Sequence, residues 1–172
     1  MKSETLQWTT DVFHESAEFT GTGAFHLFAE IDTDDTNFIA KLYDVAPNGT
    51  RTLMTSGYLK ASHRELNEEK SKYGEPWHPH TRSVPVPIGE IIEYQIRLYP
   101  FSFLVQSGHK IQLELACNEP LESEDVKLLP PDSYHLPSGR ATTHKIYRDK
   151  EHPSRLILPF IPKEQNVLNQ TK

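Results

Sequence analysis

Apolar side chains recur at every second position through much of the chain. In 24–31, Phe25, Leu27, Ala29 and Ile31 fall on one side and His26, Phe28 and Glu30 on the other. Successive side chains of an extended backbone point to opposite faces, so this pattern predicts a strand with one face buried. The next stretch, 37–45, ends at Pro47-Asn48-Gly49, where Asn and Gly tolerate the positive φ of a tight turn. Residues 51–59 resume the apolar content, and a hairpin is predicted.

The alternation is cleanest in two later segments. In 91–99, Ile92, Tyr94, Ile96 and Leu98 oppose Glu93, Gln95 and Arg97. In 110–117, Ile111, Leu113, Leu115 and Cys117 oppose Lys110, Gln112, Glu114 and Ala116. Both are predicted to be half-buried antiparallel strands, each introduced by a glycine, Gly89 or Gly108. With 143–148 and 154–160, the pattern predicts about eight strands.

No helical stripe interrupts this series. Residues 62–72, SHRELNEEKSK, have helix-forming composition but almost no apolar face, so a surface insertion with a helical turn or two is expected. It runs into a loop, 73–87, with Pro76, Pro79, Pro85 and Pro87; a second long connection, 118–141, carries Pro120, Pro130, Pro131 and Pro137. Loops of this length in a compact domain are functional or packed on another surface. Short strands separated by Pro and Gly turns predict an all-β sandwich or jelly roll, one domain over 1–162, with 163–172 as a polar tail.

Composition supports a folded domain: 172 residues, 36% hydrophobic and 24% charged, enough for one core. The formal net charge of −6 comes without any basic cluster, which argues against nucleic acid as a partner. No run of 18 apolar residues occurs, so neither a membrane-spanning helix nor a signal peptide is expected. The single cysteine, Cys117, lies in an alternating run and is read as a buried thiol in a reducing compartment, with the cytoplasm as the expected location.

The chemistry of acyl transfer is missing. A nucleophile elbow, G-x-S-x-G, stands its serine on a strained strand-to-helix turn, and this chain has none. Its serines beside glycine, at Ser56, Ser107 and Ser138, are read as turn residues. The His78-Pro79-His80 pair, with His63 or Glu75 nearby in sequence, has the residue types of a metal site but no Cys partner and no H-E-x-x-H, and solvent-exposed loop histidines are the simpler reading. Asp32, Asp34 and Asp35 lack the glycine and glutamate of an EF-hand loop and are read as a polar turn. No catalytic, metal or cofactor residue is nominated. Tyr73 and Trp77 in the long loop, and Tyr99, Phe101 and Phe103 after the 91–98 strand, are candidates for stacking on a ligand, with packing the favoured reading because the YPFSFLVQSGHK segment itself alternates.

The ordered set DTDDTNFIAKLYDVAPNG (32–49), GYLKASHRE (57–65), PVPIGEIIEYQIRLYP (85–100), SGHKIQLELA (107–116) and HPSRLILP (152–159) resembles the C-terminal β-sandwich of the X-Pro dipeptidyl-peptidase and cocaine-esterase/NonD acyl hydrolases. The resemblance implies a jelly roll of the galactose-binding-like type that packs on an α/β-hydrolase domain of a serine hydrolase. In that family the catalytic Ser, Asp and His lie in the hydrolase domain, so the chain alone is expected to be inactive. It further implies a role in subunit contacts, with homo-oligomers expected, or at the active-site entrance, and Arg64, His78, His80 and Arg82 are candidates for such a contact. The alternative is a stand-alone carbohydrate- or ligand-binding module, for which Tyr73 and Trp77 are the best support.

Overall fold

The computed structural model describes residues 5–117 and 141–162. Over these residues the chain is all-β and antiparallel, and its helical content is a 3-10 turn at Ala61–His63. One layer is a four-stranded sheet in the order β1 (Leu6–Thr9), β8 (Lys110–Ala116), β4 (Asn37–Val45), β5 (Arg51–Lys60). In β8 the predicted alternation is realised, with Ile111, Leu113 and Leu115 buried. The β4–β5 hairpin closes as its sequence predicts: Asn48 Oδ1 accepts from the Thr50 amide at 2.9 Å and Gly49 takes φ 86°.

The other layer is built from three long strands that all break at the same level. Beyond the break on one side lie β10 (Arg155–Ile157), β3 (Ala24–Ile31) and β6 (Ile92–Arg97) in that order; on the other side lie β11 (Phe160–Ile161), β2 (Ala17–Gly21) and β7 (Phe101–Val105) in the same order. Each strand of the first set is continued in sequence by its counterpart in the second, across 22–23, 98–100 and 158–159. At the break, the Leu98 amide donates to Gly23 O and the Thr20 amide to Pro159 O, both at 2.9 Å. Glycine is required there. A Cβ on Gly23 would stand 2.8 Å from Ile157 O, and Gly21 has φ 136°, so a side chain at either position would collide or be strained.

The last strand to join is β9 (His144–Tyr147), which pairs with Phe28–Ile31 of β3 while β10 pairs with Ala24–His26 on the same edge. Between them, Ser154 Oγ accepts from the Phe28 amide at 2.9 Å and donates to Tyr147 O at 2.6 Å. Both layers contribute to one apolar core that includes Leu27, Phe38, Leu42, Tyr94, Ile96 and Ile111. Phe38 and Tyr94 meet with ring centroids 4.7 Å apart, and full burial of such a side chain contributes about 2 kcal/mol.

Four sequence-based expectations change. Segment 154–160 is not a single strand, because the shared break divides it into β10 and β11, whereas the strand predicted over 91–99 is β6 and ends at that break. Strands β1 and β2 were not expected, since LQWT exposes nearly every residue and AEFTG is too short to show a period. Ser56 and Gly57 lie within β5 rather than in a turn, where the glycine lets β5 approach the break. Cys117 follows β8 and is half-buried, not enclosed. Much of the 118–141 connection and the 163–172 tail lie outside the described residues.

Candidate interaction site

Among the described residues the insertion after β5 is the most elaborated surface, and side chains bonded to backbone atoms build much of it. Arg64 clamps its two arms, donating from Nη1 to Val84 O at 2.7 Å and from Nη2 to Pro85 O at 3.2 Å. His78 places Nδ1 2.9 Å from Glu65 O and Nε2 2.9 Å from Gln95 O, so one ring ties both the insertion to itself and the insertion to β6. Arg82 grips the Glu65 carboxylate with two nitrogens, Nε at 2.7 Å from Oε2 and Nη2 on Oε1. Trp77 is half-buried, its amide held by Ser71 Oγ at 3.0 Å and its ring under the Lys70 ammonium at 4.3 Å.

The six candidate contact residues therefore occupy different situations. Arg64, His78 and Trp77 are built into the insertion and Arg82 is paired across it. Tyr73 is 86% exposed at the tip of a turn in which Lys72 and Glu75 pair backbone to backbone. His80 is exposed and takes φ 51°, a left-handed conformation that histidine adopts more readily than most residues. Its ring centroid lies 5.6 Å from that of His63 and 5.7 Å from that of His78. Partial desolvation of the ring on the side facing the protein, with the neighbouring His78 and His63 rings, holds its imidazole below the usual range.

No group of three or more His, Cys, Asp or Glu side chains among the described residues is arranged to hold a metal ion. His78 has both nitrogens committed to carbonyls. The acidic segment is a structural turn: Asp35 accepts from the Thr36 and Ser62 amides and from Ser62 Oγ, at 2.8–3.0 Å, and Asp32 accepts from the Thr143 amide at 2.8 Å.

Two histidine pairs have parts of a catalytic constellation. His109 Nδ1 lies 2.8 Å from the buried Asp44 carboxylate, yet no Ser, Thr or Cys side chain among the described residues hydrogen-bonds its other nitrogen. Cys117 Sγ lies 3.5 Å from His144 Nε2, which also meets Thr36 Oγ1 at 2.9 Å. Burial pushes the thiol up and the imidazole down, favouring a neutral pair rather than the thiolate that nucleophilic chemistry needs.

A cleft of about 320 Å³ opens where the edge strand β1 faces the β9–β10 edge of the other layer. Its wall is apolar, formed by Trp8, Phe25, Ile111, Leu113, Ile146 and Leu156, and Arg148 and Arg155 also line it. Sequence reading missed this site, because Trp8 and Arg148 lie 140 positions apart and neither sits in a recognisable motif.

Comparison with known proteins places these features in context. Over 167 residues the chain is 30% identical to a Mycobacterium bovis protein named as a serine esterase, a span of 91% of this chain and 24% of that protein. It is 26% identical over 164 residues to the cocaine esterase of a Rhodococcus strain, covering 93% of this chain and 26% of the esterase. The crystal structure of a CocE/NonD family hydrolase from Staphylococcus aureus superposes with a TM-score of 0.79 at 22% identity, over 93% of this chain and 33% of that one. The chain thus spans about a quarter of the length of the curated relatives it matches. Residues 2–157 match the X-Pro dipeptidyl-peptidase C-terminal non-catalytic domain, and the chain belongs to that family.

Proposed function

We propose that this chain is the accessory β-sandwich of a serine hydrolase acting on acyl bonds, of the X-Pro dipeptidyl-peptidase or cocaine-esterase/NonD type. It packs on an α/β-hydrolase catalytic domain elsewhere in the same polypeptide or in a separate chain, and helps shape the active-site entrance or the oligomer. The observation that carries this reading is the match of residues 2–157 to a domain described as non-catalytic. The absence of a nucleophile elbow agrees with it, as does the neutral state favoured for the half-buried Cys117–His144 pair. The insertion is the part of the surface best suited to such a contact: its frame is fixed internally and Tyr73 stands free at its tip, a large and stiff side chain of the kind that anchors interfaces.

Two measurements test the proposal together. The purified chain should neither react with a fluorophosphonate probe nor hydrolyse p-nitrophenyl esters or X-Pro anilides. An antibody raised against it should detect, in cells that make it, a band much larger than 19.8 kDa, or a 19.8 kDa band that co-purifies with a fluorophosphonate-reactive protein. Labelling of the chain itself, or a 19.8 kDa band without a reactive companion, would refute it.

A further inference from the structure

The cleft between β1 and the β9–β10 edge has a chemistry that the docking role leaves unused. Its volume of about 320 Å³ lies at the small end of the range for small-molecule sites, about 300–1,000 Å³. The floor reaches the core: Phe25 and Ile111 are almost fully buried, and Trp8 packs against Phe25 with ring centroids 6.2 Å apart. No acidic side chain is among the lining residues.

The hydroxyls that line it already have protein partners, and none of them carries charge. Thr9 Oγ1 accepts from Gln112 Nε2 at 3.0 Å, Thr10 Oγ1 accepts from the Ile111 amide at 3.0 Å and donates to Asp11 O at 2.8 Å, and Ser154 Oγ bridges Phe28 and Tyr147. Polar recognition therefore falls to the two arginines. Arg155 is partly engaged, with Nη1 3.2 Å from Pro153 O and Nη2 3.2 Å from His26 Nδ1 and 3.8 Å from Glu93 Oε1. Arg148 makes no ion pair among the described residues and is exposed. An apolar slot flanked by one engaged guanidinium and one with no ion pair among the described residues selects a particular shape of ligand. One end must be a ring or branched hydrocarbon small enough for the slot, and the other an anion that a guanidinium can hold through two parallel hydrogen bonds.

We propose that this cleft binds small amphipathic carboxylates, with the hydrocarbon end against Trp8, Phe25 and Leu156 and the carboxylate on Arg148, assisted by Arg155. The assignment is independent of the docking role and stands or falls separately from it.

Trp8 reports on the site directly. The chain has two tryptophans, so Trp77→Phe leaves Trp8 as the sole emitter. Titration with 4-phenylbutyrate should give a saturable change in its emission, and 4-phenyl-1-butanol, which keeps the ring and loses the charge, should bind at least about tenfold more weakly. Arg148→Gln should weaken the acid by about tenfold and leave the alcohol unchanged. Ile146→Trp cannot share the assay, but Ile146→Phe, which fills the slot, should abolish both responses; circular dichroism confirms that each variant is folded. Three results would overturn the proposal: no saturable response, equal affinity for acid and alcohol, or an acid affinity indifferent to replacement of both Arg148 and Arg155. A Trp8 already shielded from acrylamide in the ligand-free chain would overturn it too, because the cleft would then be filled by polypeptide.

Discussion

Gly57 of β5 lies so close to Arg97 of β6 that a Cβ built on the glycine would stand 2.3 Å from the Arg97 carbonyl oxygen. This is where the edge of the four-stranded sheet meets the broken layer, with Gly57 bridged to Leu98 and the Tyr99 amide donating to Ser56 O at 2.8 Å. The neighbouring atom is backbone and has nowhere to go. Gly57→Ala should therefore cost about 3 kcal/mol through forced separation of the layers, seen as a lower urea midpoint; an unchanged midpoint would contradict the close approach.

The insertion should loosen on its own. Arg64→Ala removes charge-assisted bonds to three carbonyls, those of Ala61, Val84 and Pro85, and His78→Ala removes the link to Gln95. Each should cost about 2 kcal/mol locally. Hydrogen exchange should speed up across 64–84 while β3 and β8 amides keep their protection. Equal acceleration in the strands would mean that the insertion is part of the core cooperative unit.

Tyr94 is fully enclosed and its hydroxyl has no hydrogen-bond partner among the described residues. Burial pushes its phenol up to about 12, and an unpaired buried hydroxyl is a cost the fold carries. Tyr94→Phe keeps the ring against Phe38 and should leave stability unchanged or raise it by about 1 kcal/mol. The raised phenol also favours the neutral form in the folded state, so wild-type stability should decline as pH rises from about 10 towards the folded value. The Phe variant should lack that component, and urea titrations at pH 8 and pH 11 compare the two.

At the other end of the pH scale, Glu30 ties β9 to β3. Hydrogen bonds from Lys145 Nζ and Tyr147 OH, each 2.7 Å, hold its carboxyl below the usual range. A carboxyl depressed in the folded state stabilises only when ionised. Its contribution is complete above the free-chain value, about 4, and is lost as pH falls through the lower folded value. Glu30→Gln should flatten that part of the acid profile, read from thermal midpoints between pH 7 and pH 2.5, and a profile as steep as wild type would exclude this role.

Periodicity made the core strands legible. Ile111, Leu113 and Leu115, or Tyr94, Ile96 and Leu98, declare their buried face because a half-buried strand repeats every two residues. The shared break did not announce itself. Alternation runs unbroken through Ile96 and Leu98, and only the approach of Gly57, Gly23 and Pro159 from distant parts of the chain divides the strands there. The six contact candidates were recognisable as loop residues with suitable side chains, but not by task. Arg64 and His78 bond carbonyls brought near by folding, and the sequence carries no mark of which carbonyl that will be. The cleft was invisible for the same reason, since its walls come from strands at opposite ends of the chain.

Because Arg64 and His78 hold the insertion by carbonyl oxygens, which every residue possesses, and Arg82 closes it on Glu65, its frame makes no demand on what stands at the tip. Tyr73 can be exchanged for a residue of another size, charge or polarity without disturbing Arg64, His78 or Arg82. A mount of this kind lets the identity of the presented side chain be rewritten while its position in space is inherited unchanged.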